Sequence, residues 1–252
     1  MKVLLTSALC IFVAFWQCQA QTSRLELGFG PGASAYQGDL TPATFGTINK
    51  PGFAFQVLVN YNFHKALTLR GNFTYAFLKE DESAYNTAYH QRRNLKFETG
   101  VNELSALLVF SPLFSDDNEE PGSLRPYIFG GGGIGFLSIK RDWSAFDKAW
   151  PQWQQWVHDG LVKDSMMALP GAILTIPVGV GLRYSFGENV SLYSEGSHRF
   201  TKNGYIDGFS MAANPKKDDA FTTLTIGLIF RLSGFNGGRG GRGGYGCPVN
   251  VW

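Results

Sequence analysis

From Phe53 to Phe77 the chain alternates apolar and polar residues, breaks for three positions, and alternates again. Phe53, Phe55, Val57, Val59, Tyr61 and Phe63 take every second place, with Ala54, Gln56, Asn60 and Asn62 among the places between. After His64-Lys65-Ala66 the series resumes with Leu67, Leu69, Gly71, Phe73, Tyr75 and Phe77 against Thr68, Arg70, Asn72, Thr74 and Ala76. A period of two gives each strand of a hairpin one apolar and one polar face. A soluble hairpin shares that pattern, so length and end chemistry decide. Each arm has about the 9–11 residues that a tilted strand needs to cross hydrocarbon, and aromatic residues gather near the ends, where membrane girdles sit. The stretch therefore predicts two membrane-spanning strands with a lipid face and a lumen face.

The start of the chain supplies a route to such a membrane. Lys2 precedes the apolar run Val3 to Trp16, and Cys18-Gln19-Ala20 sets up a cut ahead of Gln21, the three parts of a secretory signal peptide over residues 1–20. Phe15-Trp16-Gln17 lacks the small residues of a lipoprotein cleavage site before Cys18. Cleavage removes Cys10 and Cys18 and leaves Cys247, so no intramolecular disulfide is available. Loss of Lys2 takes the formal charge from +2 to +1, which gives no general attraction to nucleic acid. No later apolar run approaches the roughly 18 residues of a spanning helix. Aromatics at 15 % and 31 glycines, by contrast, suit a membrane barrel whose apolar residues lie on one face only.

Eight spans follow in one domain, residues 21–232: Arg24 to about Ser34, the two arms of the hairpin, Glu98 to Phe110, Pro126 to Ile139, Ile173 to Phe186, Val190 to Phe200, and Asp219 to Arg231. The fold class is all-β, an eight-stranded antiparallel transmembrane β-barrel. The facing of the fifth span, with Gly130 to Gly133, and of the upper part of the fourth is open. Pro177 lies on the inward phase of the sixth and costs a ladder donor, which predicts a bulge or local break. Short turns at Lys65 and Asn189, with long loops after spans one, three, five and seven, match periplasmic turns and external loops and put both chain ends in the periplasm. The linker Ser111 to Arg125 is then an enlarged periplasmic turn or a partner surface. In the insertion Lys140 to Ala172, Trp153 and Trp156 at helical spacing predict a short amphipathic helix. Residues 233–252 are a Gly/Arg-rich low-complexity tail, read as a flexible tether.

Six charged residues fall on inward phases: Glu26, Arg70, Glu103, Arg183, Glu195 and Arg199. An eight-stranded bore is just wide enough to be filled by side chains, and buried charges must be paired. These six therefore predict an interior salt-bridge network that closes the lumen. No catalytic, cofactor or metal residue is assigned. The run Phe129 to Gly135 lacks the Lys-Ser/Thr pair of a phosphate loop, and His64, His90, His158 and His198 lack metal-ligand spacing. A Ser194, Glu195, His198 triad is opposed by the strand period, which points Glu195 away from the other two.

Three short segments carry a family resemblance. Leu25-Glu26-Leu27-Gly28 with Tyr36-Gln37-Gly38-Asp39-Leu40 looks like the first strand and loop of the PorG-like outer-membrane proteins of Bacteroidetes, a DUF6089-like family. Arg92-Arg93-Asn94-Leu95-Lys96-Phe97 before Asn102-Glu103-Leu104 resembles their second loop, and Tyr205-Ile206-Asp207-Gly208-Phe209-Ser210 their last. That last pattern usually carries two consecutive acids and a Val, where this chain has Gly208 and Phe209. The resemblance implies a non-enzymatic outer-membrane barrel of the type IX protein secretion machinery that anchors periplasmic ring proteins, a lipoprotein and its partner. The loop residues it singles out are Tyr36, Gly38, Asp39, Arg92, Asn94, Leu95, Phe97, Tyr205 and Asp207. The partners expected are outer-membrane lipid and those ring proteins, with no nucleic acid, small-molecule substrate or cofactor. The alternatives are a general OmpA/OmpX-like surface barrel for adhesion or envelope integrity, and a membrane-embedded lipid or peptide hydrolase.

Overall fold

The computed structural model describes residues 25–38, 40–41, 51–113, 121–147, 155–187, 189–213 and 218–232. The signal peptide, the tail with Cys247, Asp39, Trp153 and the middle of the Ser111–Arg125 linker lie outside the described residues. Eight antiparallel strands close on themselves: β1 (Leu25–Gln37), β2 (Gly52–His64), β3 (Leu67–Asp81), β4 (Lys96–Phe110), β5 (Leu124–Asp142), β6 (Ala172–Ser185), β7 (Val190–Thr201) and β8 (Ala220–Arg231). Each pairs with its sequence neighbour, and β1 pairs with β8 from Glu26↔Arg231 to Gln37↔Ala220, so no edge is left open. Among the described residues no helix is long and apolar enough to cross a membrane.

The alternation seen in the sequence becomes an inside and an outside. Along β6, Leu174, Ile176, Val178, Val180, Leu182 and Tyr184 all face out, with Leu174 75 % and Val180 62 % exposed. Leu104, Leu108 and Phe110 on β4, Ile128 and Ile134 on β5, and Leu224 and Ile226 on β8 extend the same apolar exterior. Such a continuous belt is far larger than a water-soluble surface tolerates, and it identifies lipid as the solvent of this face.

The strands are longer than the spans predicted from sequence. β3 runs on to Asp81, β4 starts at Lys96 and β5 reaches Asp142, through charged residues read from sequence as loop. Beyond the lipid an outward position can carry charge, so pairing continues while apolar patterning stops. The open facings are fixed by these pairings. In upper β4, Phe97, Thr99 and Val101 point in. In β5, Tyr127 and Phe129 point in and Ile128, Ile134 and Phe136 point out, with the phase unbroken through the glycines.

Of the bulge or local break predicted at Pro177, the structure shows the break, where β5–β6 pairing lapses between Gly130↔Val178 and Gly133↔Thr175, and no bulge. Pro177 pairs with Arg199 in unchanged register, and the β5–β6 ladder resumes in the same register on both sides of Gly131 and Gly132, so the missing donor costs local pairing only. A register shift occurs instead between Asn62 and His64, at the first tight turn. On the lumen side of β6, Gly179 and Gly181 allow ring-to-backbone approach. A Cβ at either position would lie 2.4 Å from the ring of Phe129 or Tyr127 respectively.

The loops after β1, β3, β5 and β7 leave the barrel at one end. That after β3 forms a 3-10 turn (Glu82–Ala84) and helix α1 (Ala88–Arg93), and that after β5 forms helix α2 (Gln155–Met166). Helix α2 buries Val157, Gly160, Leu161 and Asp164, a spacing of three and four that defines one face. We expect unheated detergent samples to migrate differently from boiled ones in gel electrophoresis. Identical migration, with extraction by salt alone, would reject the barrel.

Candidate functional site

The inward phases of the strands place polar side chains in a bore that excludes bulk water. All six sequence-predicted interior charges lie there, in three pairs drawn from different strands. At the short-turn end the Arg183 guanidinium donates to both Glu26 oxygens at 2.8 and 3.0 Å, and Arg231 lies 3.6 Å from the same carboxylate. Midway, Arg70 pairs with Glu195 and donates to Asn60 Oδ1 at 2.8 Å, while Tyr127 donates to Glu195 at 2.7 Å. The Arg70 guanidinium also stands 5.5 Å from the Tyr127 and Phe129 ring centres, the faces that the β6 glycines hold against the wall. Higher still, Arg199 donates from Nε to both Glu103 oxygens at 3.2 Å, and also to Thr223 at 2.6 Å and Thr74 at 3.1 Å.

Neutral amides and hydroxyls join these pairs. Asn60 donates to Glu26 at 3.1 Å and accepts from Arg70; Gln56 donates to Glu195 at 3.1 Å and to Asn72 at 2.8 Å; Asn72 donates to Thr74 at 2.9 Å. The result is a continuous hydrogen-bonded chain from Glu26 to Glu103. Glu26 and Glu103 are fully buried, so each carboxylate depends on its arginine for the attraction that water would otherwise supply.

Above the chain lies a cap, and here the family-like loop residues gather. Tyr36 Oη sits 2.7 Å from Asp207 Oδ2 and 2.6 Å from Asp219 Oδ1, and its ring packs edge-on against Phe97 at 4.7 Å. Gly38 makes room for this arrangement: a Cβ there would fall 1.9 Å from Tyr36 Oη. Asp207 and Asp219 in turn accept the backbone N–H groups of Phe209 at 2.8 Å and Ile206 at 3.0 Å. Asn94 ends α1 in the left-handed region at φ 46°, its N–H donating to His90 O, and so turns the chain to seat fully buried Leu95. The Arg92 carbonyl accepts from Asp147 N–H at 3.0 Å. Where the family pattern carries acid and Val, Gly208 has φ +83° and its carbonyl accepts from Arg141 at 3.0 Å, while Phe209 is buried in the cap core. Asp39 lies outside the described residues.

Sequence reading missed the two acids that fasten the cap. Asp164 on α2 accepts from the N–H groups of Ser210, Met211 and Ala212 at 3.3, 3.1 and 2.8 Å and from Tyr205 Oη at 3.2 Å. Burial and the Asp164 charge hold the Tyr205 hydroxyl above its ordinary pKa, so it stays a donor. Gly160, one turn earlier, permits the close approach: a Cβ there would meet Met211 O at 2.2 Å. Glu82 receives both Arg93 Nε and Leu95 N–H. Burial alone would lower the Arg93 pKa, but the Glu82 carboxylate outweighs it and holds it raised. The one signal for Asp164 was its place on the apolar stripe of α2, and nothing local marked Glu82.

The triad geometry does not assemble. Glu195 points into the bore toward Arg70, whereas His198 bonds Thr222 at 2.9 Å on the outer phase with Ser194. Among the described residues no group of three His, Cys, Asp or Glu side chains could hold a metal.

A closed membrane barrel with a charge-paired bore and a packed loop cap is the class these features define. The chain belongs to the family described as domain of unknown function DUF6089, whose model matches residues 2–232. No curated protein sequence matches it. Similar solved structures include Neisserial surface protein A, 11 % identical over 82 % of this chain and 96 % of that chain, with TM-score 0.46. The attachment invasion locus protein Ail of Yersinia pestis is 11 % identical over 82 % and 97 %, with TM-score 0.43. A major outer membrane protein of Thermus thermophilus is 12 % identical over 82 % and 98 %, with TM-score 0.43.

Two measurements probe this site. Glu103→Ala strands a buried guanidinium and should cost about 3–5 kcal/mol, read as a lower temperature for conversion of the unheated gel band. Asp164→Ala leaves three N–H donors unpaired, two of them buried, and should open the α2 segment 155–167 to protease while the barrel band shift persists. Loss of the shift itself would make Asp164 a determinant of the barrel instead of the cap.

Proposed function

We propose that this protein is a non-enzymatic outer-membrane barrel of the type IX secretion machinery, with both termini in the periplasm, and that it anchors periplasmic ring proteins to the membrane. The observation that carries the reading is the convergence of Tyr36, Phe97 and Asp207, separated by up to 171 residues, in one cap. These are the positions on which the resemblance to PorG-like barrels rests, and membership of the DUF6089 family agrees with it. A bore filled by paired charges suits an anchor better than a pore. Tight turns at one end and packed loops at the other suit a protein that meets its partners through surfaces, with the linker 111–123 as the widest connection on the short-turn side.

A general OmpA/OmpX-like surface barrel is the second reading, favoured by the same apolar belt and compact cap. Deletion separates them. Under the secretion reading, cargo carrying type IX signals stays trapped in the cell envelope of the deletion strain; normal export would assign the protein to the second reading. In planar bilayers the purified protein should give no steady large conductance, and a persistent open channel would refute the closed bore.

A further inference from the structure

On β3, β4 and β5 the outward face changes character in four successive rows. Strand pairing sets Tyr75, Asn102 and Phe136 side by side, then Phe77, Gly100 and Ser138, then Lys79, Glu98 and Lys140, and finally Asp81, Lys96 and Asp142. The first two rows close the apolar belt with aromatic rings. The last two are charged at every position. The outermost row is internally satisfied, with Lys96 3.1 Å from Asp81 and Asp142 accepting Ser144 N–H at 2.9 Å. In the row nearer the belt, Lys79 and Lys140 are exposed and make no ion pair among the described residues. They stand on either side of Glu98, about 10 Å apart at ordinary strand spacing. The three strand tips, residues 79–81, 96–98 and 140–142, line a concavity of about 540 Å³.

We propose that this terrace binds the phosphate-bearing headgroup of a membrane lipid, with the Lys79 and Lys140 ammonium groups on the phosphate and the acyl chains lying down over Phe77 and Phe136. Depth and charge carry the assignment. An ammonium one row beyond the aromatic edge of a lipid-facing wall sits in the headgroup layer, where a lysine stem covers apolar surface and its tip meets phosphate. The adjoining Phe77 and Phe136 make the ligand an amphiphile, since a free phosphate has nothing to place on them. Glu98 is the carboxylate nearest the phosphate and opposes it, which makes its removal informative. Arg141 and Glu80 alternate onto the inner phase, and Arg141 is committed to the carbonyls of Gly208, Ser165 and Met167.

The inference rests on the membrane-barrel reading, and its test keeps the two apart. The full-length mature protein is inserted into phosphatidylcholine nanodiscs containing a phosphatidic acid, and retained lipid is counted by native mass spectrometry. Lys79→Gln and Lys140→Gln should each weaken retention of the phosphatidic acid about fivefold, Glu98→Gln should strengthen it, and Lys202→Gln just past the end of β7, an equal charge change two strands round the barrel from β5, should leave it unchanged. Equal effects from all three lysines, no gain from Glu98→Gln, or displacement by an equal concentration of glycerol phosphate would overturn the proposal. Failure of the wild type to insert or to show heat-dependent gel migration would instead overturn the barrel.

Discussion

Hydrocarbon offers no hydrogen-bond partner, and the rest of this structure follows from that. Every strand N–H and C=O in the membrane must find another strand, so the sheet closes from β1 to β8. Closure around only eight strands leaves a bore too narrow for bulk water, so polar side chains pointing inward must satisfy one another. Arg70 with Glu195, Arg183 with Glu26 and Arg199 with Glu103 meet that demand in pairs, with Asn60, Gln56 and Asn72 carrying the hydrogen bonds between them. The glycines of β6 belong to the same solution, since they let Tyr127 and Phe129 lie flat on the wall and leave the centre to Arg70.

The cap obeys a different rule. Outside the lipid the loops have water available, and what orders them is apolar burial of Leu40, Leu95, Phe97, Ile206 and Phe209 over the barrel end. Buried carboxylates then pin the backbone: Asp164 collects three successive N–H groups, and Asp207 and Asp219 bracket one tyrosine hydroxyl. Bore and cap thus use acids differently. In the bore an acid neutralises a cation, whereas in the cap Asp164, Asp207 and Asp219 gather the peptide donors of loops that have no ladder to join, and Glu82 does both.

Strand number and facing were legible because a barrel wall samples two solvents on alternate residues, and that period survives in β2, β6 and β8 without help from neighbours. It failed to mark strand ends. Lys79 to Asp81 and Lys96 to Phe97 read as loop because hydrophobicity ends at the lipid boundary while backbone pairing does not. The missing donor at Pro177 gives the local break inferred from it, in the β5–β6 ladder, but no bulge, because the register is the same on both sides of the break and β7 pairs through it.

Sequence alone determined that the chain is an eight-stranded barrel and that Glu26, Arg70, Glu103, Arg183, Glu195 and Arg199 point inward, since both depend only on the parity of positions along single strands. Which arginine meets which carboxylate was decided by the tertiary structure, because the shear of the closed sheet sets the heights at which residues 96 to 157 positions apart face each other across the bore. The same is true of the cap. Tyr36, Asp207 and Asp219, or Asp164 and the N–H groups of residues 210–212, become partners only once barrel closure brings β1, the α2 loop and the last loop to one end.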